Sequence, residues 1–234
     1  MRGSQFLVLI NMLRDELRRS TDPAVSSSDV DSLKRVINRN YEFLYSDYDW
    51  PILRRVYPSA LINAGQQLYD LPEDLDPERI ESVAIWYGAI ARSAIRGIGF
   101  EQYNIYDPED DIRSAPVTHW DLRSSALHDH VQFELWPLPD TTLQYVQFIG
   151  FKSFERLVND IDQCLLDDNL VVAFSASEML TAQGSADAEA KFRAAQAMYS
   201  RMRGRLKGAG KTYTLTDSGN YQKTYPKVVV QVNR

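Results

Sequence analysis

Residues 131–151 read VQFELWPLPDTTLQYVQFIGF. Val131, Phe133 and Leu135 alternate with Gln132 and Glu134, and beyond a break Leu143, Tyr145, Gln147 and Ile149 alternate with Gln144, Val146, Phe148 and Gly150. A period of two is the signature of extended chain. The segment between, Trp136-Pro137-Leu138-Pro139-Asp140-Thr141-Thr142, cannot continue a ladder, because each proline lacks an N–H and has a fixed φ. The expectation is a hairpin whose first strand buries one face and whose second buries both. Working outward, the chain leads from helix into sheet before this point and from sheet back into helix after it.

On the N-terminal side, Phe6, Leu9, Leu13 and Leu17 recur at helical spacing. Ser20-Thr21-Asp22-Pro23 stops that helix, and Ser28 followed by Asp31 resembles a capping box for the next one. Its stripe is Val30, Leu33, Ile37, Tyr41, Leu44 and Tyr48. These two helices are expected to lie antiparallel with their stripes facing. Asp49-Trp50-Pro51 ends the second, since a residue before proline is pushed out of the helical region, and Trp50 is expected to be buried at the joint. Strands are expected from Leu53 to Leu61, Gln66 to Leu71, Arg79 to Tyr87 and Pro116 to Leu122, with a short helix between Gly97 and Asp111.

On the C-terminal side, Asp167 or Asp168 is placed to cap a helix from Asn169 to Gln183 that Gly184 closes. Ser185 opens another helix, with the stripe Phe192, Ala195, Tyr199, Met202 and Leu206 and a basic C-terminal half that suits the helix dipole. The fold class is therefore α+β: a bundle of about four helices from the two ends of the chain, an inserted small antiparallel β domain, and an extended C-terminal arm. The boundaries are 1–50 with 160–207 for the helices, 51–159 for the β domain and 208–234 for the arm. In the arm Lys211, Lys223, Lys227 and Arg234 face Asp217 alone, within a chain of formal charge −6. It has strand-forming residues and no companion segment, so it reads either as a fraying terminus or as a strand added to a neighbour.

Bulk properties exclude several function classes. A net negative chain does not suit tight binding of nucleic-acid phosphates, which draws on Lys and Arg, although DNA passing by without sticking fits that sign. Cys164 is the only cysteine, which rules out an intrachain disulfide and a cysteine-rich zinc site. Phe6 to Ile10 is too short for a signal core or a membrane span, so a soluble chain made in the cytoplasm is expected. Gly208-Ala209-Gly210-Lys211-Thr212 ends like a phosphate-binding loop, but Arg205 stands where the first glycine should be and the segment follows a helix; a helix cap explains it better. His128-Asp129-His130 with His119 could ligate zinc or copper, yet no further ligand spacing supports a site, and a polar turn is the plainer reading. Asp160, Asp162, Asp167 and Asp168 lack the glycine and the glutamate of a calcium loop and read as caps and solvated charge. Glu134 with Asp140 is the kind of carboxylate pair any chain with 32 acids yields. No catalytic, cofactor or metal residue emerges.

LVLINMLRDEL, STDPAVSSSDVDSLKRVINRNYEFL, DYDWP, AGQQLYDLPEDL, FELWPLP and LLDDNLVVAFSASEML, spread over residues 6–207, together resemble the head-to-tail adaptor, or neck connector, proteins of tailed bacteriophages, including those called tail tubular protein A. The resemblance implies a non-enzymatic ring, commonly of twelve copies, in the virion neck. Such a ring binds beneath the portal protein, offers a platform to the next tail or nozzle component and lets DNA through without reading its sequence. By the same analogy the arm reaches the portal, which assigns Tyr213, Tyr221, Tyr225, Val228, Val229 and Val230 to partner binding, with no cofactor. Another ring-forming neck or tail protein of the terminator kind, or a monomeric binding module, is the alternative.

Overall fold

The computed structural model describes residues 3–20, 29–124 and 131–207. It is mixed α and β, with helices α1 Phe6–Glu16, α2 Val30–Asp47, α3 Phe100–Tyr103, α4 Asp168–Ala182 and α5 Ala188–Lys207. The strands are β1 Arg54–Val56, β2 Ala60–Leu61, β3 Leu68–Asp70, β4 Leu75–Tyr87, β5 Ile90–Ser93, β6 Ile95–Arg96, β7 His119–Ser124, β8 Val131–Trp136 and β9 Gln144–Lys152. The contacts divide the chain into two units, one formed by Met1–Leu44 with Arg156–Arg234 and the other by Tyr45–Glu155.

In the first unit α4 is the central element. Leu170, Val171, Val172, Phe174 and Ala176 are buried around its circumference, and the buried hydroxyls of Ser175 and Ser177 donate back to the Val171 and Phe174 carbonyls at 2.8 Å, so neither hydroxyl is stranded by the burial. Asp167 is the residue that caps it, accepting from the Leu170 N–H at 3.3 Å. At the other end Gly184 has φ +65°, its N–H donates to the Thr181 carbonyl at 3.0 Å, and the Ser185 N–H donates to Leu180 at 3.0 Å. That pair of bonds is a Schellman closure, and the left-handed φ is why glycine stands there.

Helices α4 and α5 pack closely, with Phe174 edge-on to Phe192 and Tyr199, and α1 packs on α4 through a stripe in which Phe6, Leu9 and Leu13 are wholly buried. Helix α1 turns its stripe to α4, which has apolar surface on every side, and meets α2 where the Lys34 ammonium lies 5.5 Å from the centre of the Phe6 ring. Helix α2 is also laced to the segment 157–165. The Asn38 amide donates to the Leu157 carbonyl at 2.9 Å and accepts from the Leu157 N–H at 3.0 Å, Tyr41 Oη accepts from the Leu165 N–H at 3.3 Å, and Lys34 pairs with Asp160 at 2.7 Å.

The second unit is a sandwich of two sheets. One has the order β1-β9-β4-β5 with β2 also on β9, and the other has the order β3-β8-β7-β6. All pairings are antiparallel except β6 with β7. The expected hairpin of residues 131–151 is therefore corrected: β8 and β9 belong to different sheets, and the proline-rich turn carries the chain across the sandwich. Their inward residues meet in the core, where the Phe133 and Phe148 rings lie 4.9 Å apart, joined by Leu135, Val146, Trp120, Val83 and Ile85.

The expected burial is also reversed. Residues Phe133–Trp136 of β8 are buried on both faces, because the segment after β6 covers its outer side, whereas β9 keeps Tyr145 and Gln147 accessible. The strand expected from Leu53 to Leu61 breaks at Pro58 into β1 and β2, and β4 starts earlier than expected, at Leu75, running past Pro77 with register shifts around Ile80. Gly150 sits opposite that irregularity; a Cβ there would come within 3.0 Å of the Arg79 carbonyl oxygen. Trp50 is 1% exposed, as expected of the residue before Pro51, and stacks edge-on against Tyr48.

Candidate functional site

The polar centre of the β unit is a carboxylate that periodicity alone places on an outward face. Glu134, on β8 between Phe133 and Leu135, is buried and accepts three hydrogen bonds: from Arg123 Nε at 2.6 Å, Tyr103 Oη at 2.7 Å and Gln67 Nε2 at 2.8 Å. A carboxylate taken out of water keeps its charge only with such partners, and here three segments supply them. Arg123 also reaches Tyr103 Oη at 2.8 Å and the Ile98 carbonyl at 3.3 Å. Burial, then the bond to Glu134, raises the Tyr103 phenol above its ordinary pKa, and the same carboxylate raises Arg123. The network pins α3 to the sheet. Nearby the Trp136 indole N–H donates to the Tyr106 carbonyl at 3.0 Å.

The residues singled out for chemistry are scattered or structurally employed. Glu134 is committed to Arg123, and Asp140 is exposed in the turn, so the two carboxylates are not brought together as a pair. His119 lies against the Trp136 ring and within 2.9 Å of the Thr118 hydroxyl; His128 and His130 lie outside the described residues, as do Gly208–Thr212. Cys164 is fully buried, and burial pushes its thiol up to about 12, which leaves almost no thiolate to react.

Of the four aspartates, Asp162 accepts from the Val158 and Asn159 N–H groups at 2.6 and 2.7 Å, bonds that hold its carboxyl below the usual range. Asp160 pairs with Lys34, and Asp167 caps α4. Asp168, the alternative to Asp167 as cap, is wholly buried and accepts from the Ser4 hydroxyl at 2.7 Å. Among the described residues no group of three or more His, Cys, Asp or Glu is placed to hold a metal ion, and no helix is long and apolar enough to cross a membrane.

A cleft of about 650 Å³ opens in the first unit between the end of α1, α4 and the start of α5. Asp15, Glu16, Arg18, Asp187 and Lys191 line it, with Glu16 bound to Lys191; neither His nor Cys is among its walls. It is a charged groove without a nucleophile–base arrangement.

What the described surface offers is apolar area. In the β unit Val56, Leu61, Tyr87, Ile90, Phe100, Ile105, Leu143 and Tyr145 are exposed, with Phe100 at 87%. Of these, Leu61 and Tyr145 are cross-strand partners on β2 and β9, and it is contiguous exposed apolar surface that marks contact with another macromolecule. The six arm residues assigned to partner binding, Tyr213, Tyr221, Tyr225, Val228, Val229 and Val230, lie outside the described residues. Sequence reading missed both the Glu134 network and the exposed sheet face. Nothing in the spacing of Gln67, Tyr103, Arg123 and Glu134 links them, since only the tertiary fold brings them together.

A search of curated proteins gives no match. A family model described as SU10 adaptor protein matches residues 4–222, nearly the whole length, and the chain accordingly belongs to that family of phage head-to-tail adaptors.

Proposed function

We propose that this chain is a non-enzymatic subunit of a ring in the virion neck, assembled in the host cytoplasm, that joins the portal to the next tail component and lets DNA pass. The observation that carries the reading is the family match over residues 4–222. In this reading about twelve copies close the ring, as is common in neck connectors of the kind the sequence resembles and as the symmetry of closed homo-oligomers allows. Helical parts from residues 1–50 and 160–207 form a bundle of about four helices, residues 51–159 form the β domain, and residues 208–234 form an arm. Tyr213, Tyr221, Tyr225, Val228, Val229 and Val230 bind the portal. The formal charge of −6 supports a conduit role, because a net negative wall repels a polyanion instead of gripping it.

The test is the native mass of the chain mixed with its portal ring, for the full sequence and for a version ending at Lys207. The full chain is expected to add to the portal as a complete ring and the shortened one to stay off. A chain that remains monomeric and never binds the portal would move the binding-module reading to the front. Binding by both versions would remove the arm assignment while keeping the adaptor.

A further inference from the structure

The C-terminal arm repeats a tripeptide. Lys211-Thr212-Tyr213 returns as Lys223-Thr224-Tyr225, and only the second copy is followed by Pro226-Lys227. A residue before proline is pushed to extended backbone, and alternate residues of an extended segment share one side. Lys223, Tyr225 and Lys227 thereby offer one phenol ring between two ammonium groups on a single edge.

The cleft of about 650 Å³ between α1, α4 and α5 has the matching chemistry. Leu17, Val172, Ala173 and Leu180 make its apolar wall. Of its charges, Glu16 and Lys191 neutralise each other in their own ion pair, which leaves Asp15 and Asp187 against Arg18; neither aspartate has a cationic partner among the described residues. The negative ends of α1 and α4 both border the cleft and outnumber the one positive end, that of α5. Arg18 closes α1 with a left-handed φ of +55° and the same pair of backbone bonds that Gly184 makes for α4. A planar guanidinium is thus kept at the cleft in spite of backbone strain, and the face of a tyrosine ring suits such a cation. Along α4 the lining runs from Asn169 to Gln183, about 21 Å of helix, which accommodates the roughly 17 Å of extended residues 223–227.

Reach selects the occupant. From Lys191, at the cleft, helix α5 runs on for about 24 Å to Lys207. Lys211 follows that end by about 14 Å of extended chain and falls short of the cleft of its own copy, whereas Lys223 follows it by about 54 Å and returns with slack. A tether of that length holds the segment at an effective concentration of about millimolar, which favours the chain's own cleft over a neighbour's.

We propose that this cleft is the docking site of the chain's own residues Lys223–Lys227 before the portal is met, with the two lysines on Asp15 and Asp187 and the Tyr225 ring on the apolar wall beside Arg18. The inference rests on the reading of the arm as the portal-binding segment and gives that segment a resting place. Tyr225 cannot occupy the cleft and the portal at once, so the portal displaces the arm from the cleft.

The test uses the full chain at low concentration. Gln183→Cys, in the cleft, is combined with Thr224→Cys or, for the copy out of reach, with Thr212→Cys, and each variant is treated with a short bis-maleimide; Cys164 is buried and does not compete. A link within one chain is expected for Q183C/T224C, several-fold above Q183C/T212C. Adding Asp15→Lys with Asp187→Lys is expected to cut that yield several-fold, and adding Lys223→Asp with Lys227→Asp to the same variant to restore it. Equal yields at 224 and 212, a product formed only between chains, or a yield indifferent to the charge exchange would overturn the proposal. A chain that gives no internal link yet binds the portal through its arm would sink the docking site and leave the adaptor reading standing. An internal link in a chain that never binds the portal, linked or not, would do the reverse.

Discussion

Asn38 shows how one side chain can hold two distant parts of the chain together. Its amide answers both the N–H and the C=O of Leu157, a buried backbone group with no other element to pair with. Asn38→Ala therefore strands two buried polar groups, and a loss of about 1–3 kcal/mol is expected, measured by urea denaturation. Asn38→Asp should be worse, since it replaces a donor with a negative charge facing a carbonyl. Tyrosines set a second residue-scale expectation. Burial raises Tyr45, Tyr57 and Tyr69 to about 12 from 10.0, all three within the β unit. The raised folded pKa means that the native state keeps these protons while the unfolded chain loses them. Stability is thus fully present below pH 10, falls as pH rises from 10 and is lost through 12. A tyrosinate absorbance titration should show these three ionising together with unfolding, and a fully reversible ionisation near 10 without unfolding would contradict it.

At the scale of elements, two glycines report on how helix and strand are finished. Gly184 ends α4 with a left-handed φ of +65°, where any Cβ is strained, so Gly184→Ala is expected to cost about 1–2 kcal/mol, read as a lowered melting temperature without change of fold. Gly150 on β9 has an ordinary φ but no room: a Cβ would stand 2.7 Å from Leu75 Cδ1 and 3.0 Å from backbone of the irregular β4. Gly150→Ala should destabilise by about 1–3 kcal/mol through overpacking. Equal stability of G150A and wild type would mean that the β4 register shift relaxes freely. Helix ends such as that of α4 were legible in the sequence because capping chemistry is local. The β4 irregularity was not, since it exists only against its partner strand.

At the scale of the molecule, the β unit Tyr45–Glu155 has a core of its own, built from both sheets around Phe133, Phe148, Trp120 and Leu135. Expressed alone, it is expected to fold cooperatively with dispersed amide resonances, and Phe133→Ala in that fragment should cost about 3–5 kcal/mol. A collapsed spectrum from the fragment would show that the core needs the helical unit.

By itself the sequence determined the element types and many of their ends, because apolar spacing, caps and prolines act within a few residues: α1, α2, α4, α5, the strand pair flanking Pro137 and Pro139, and the buried Trp50 follow from it. It also carried the adaptor resemblance that the family match supports. Only the tertiary structure decided that β8 and β9 part into different sheets, that α1 packs on α4, and that Glu134 is a buried hub and not an outward residue. Periodicity of two records that a strand has two faces. Which face is covered depends on segments such as Ile98–Tyr106 that arrive from elsewhere in the chain, and their energy is gained only once the loop between them has closed.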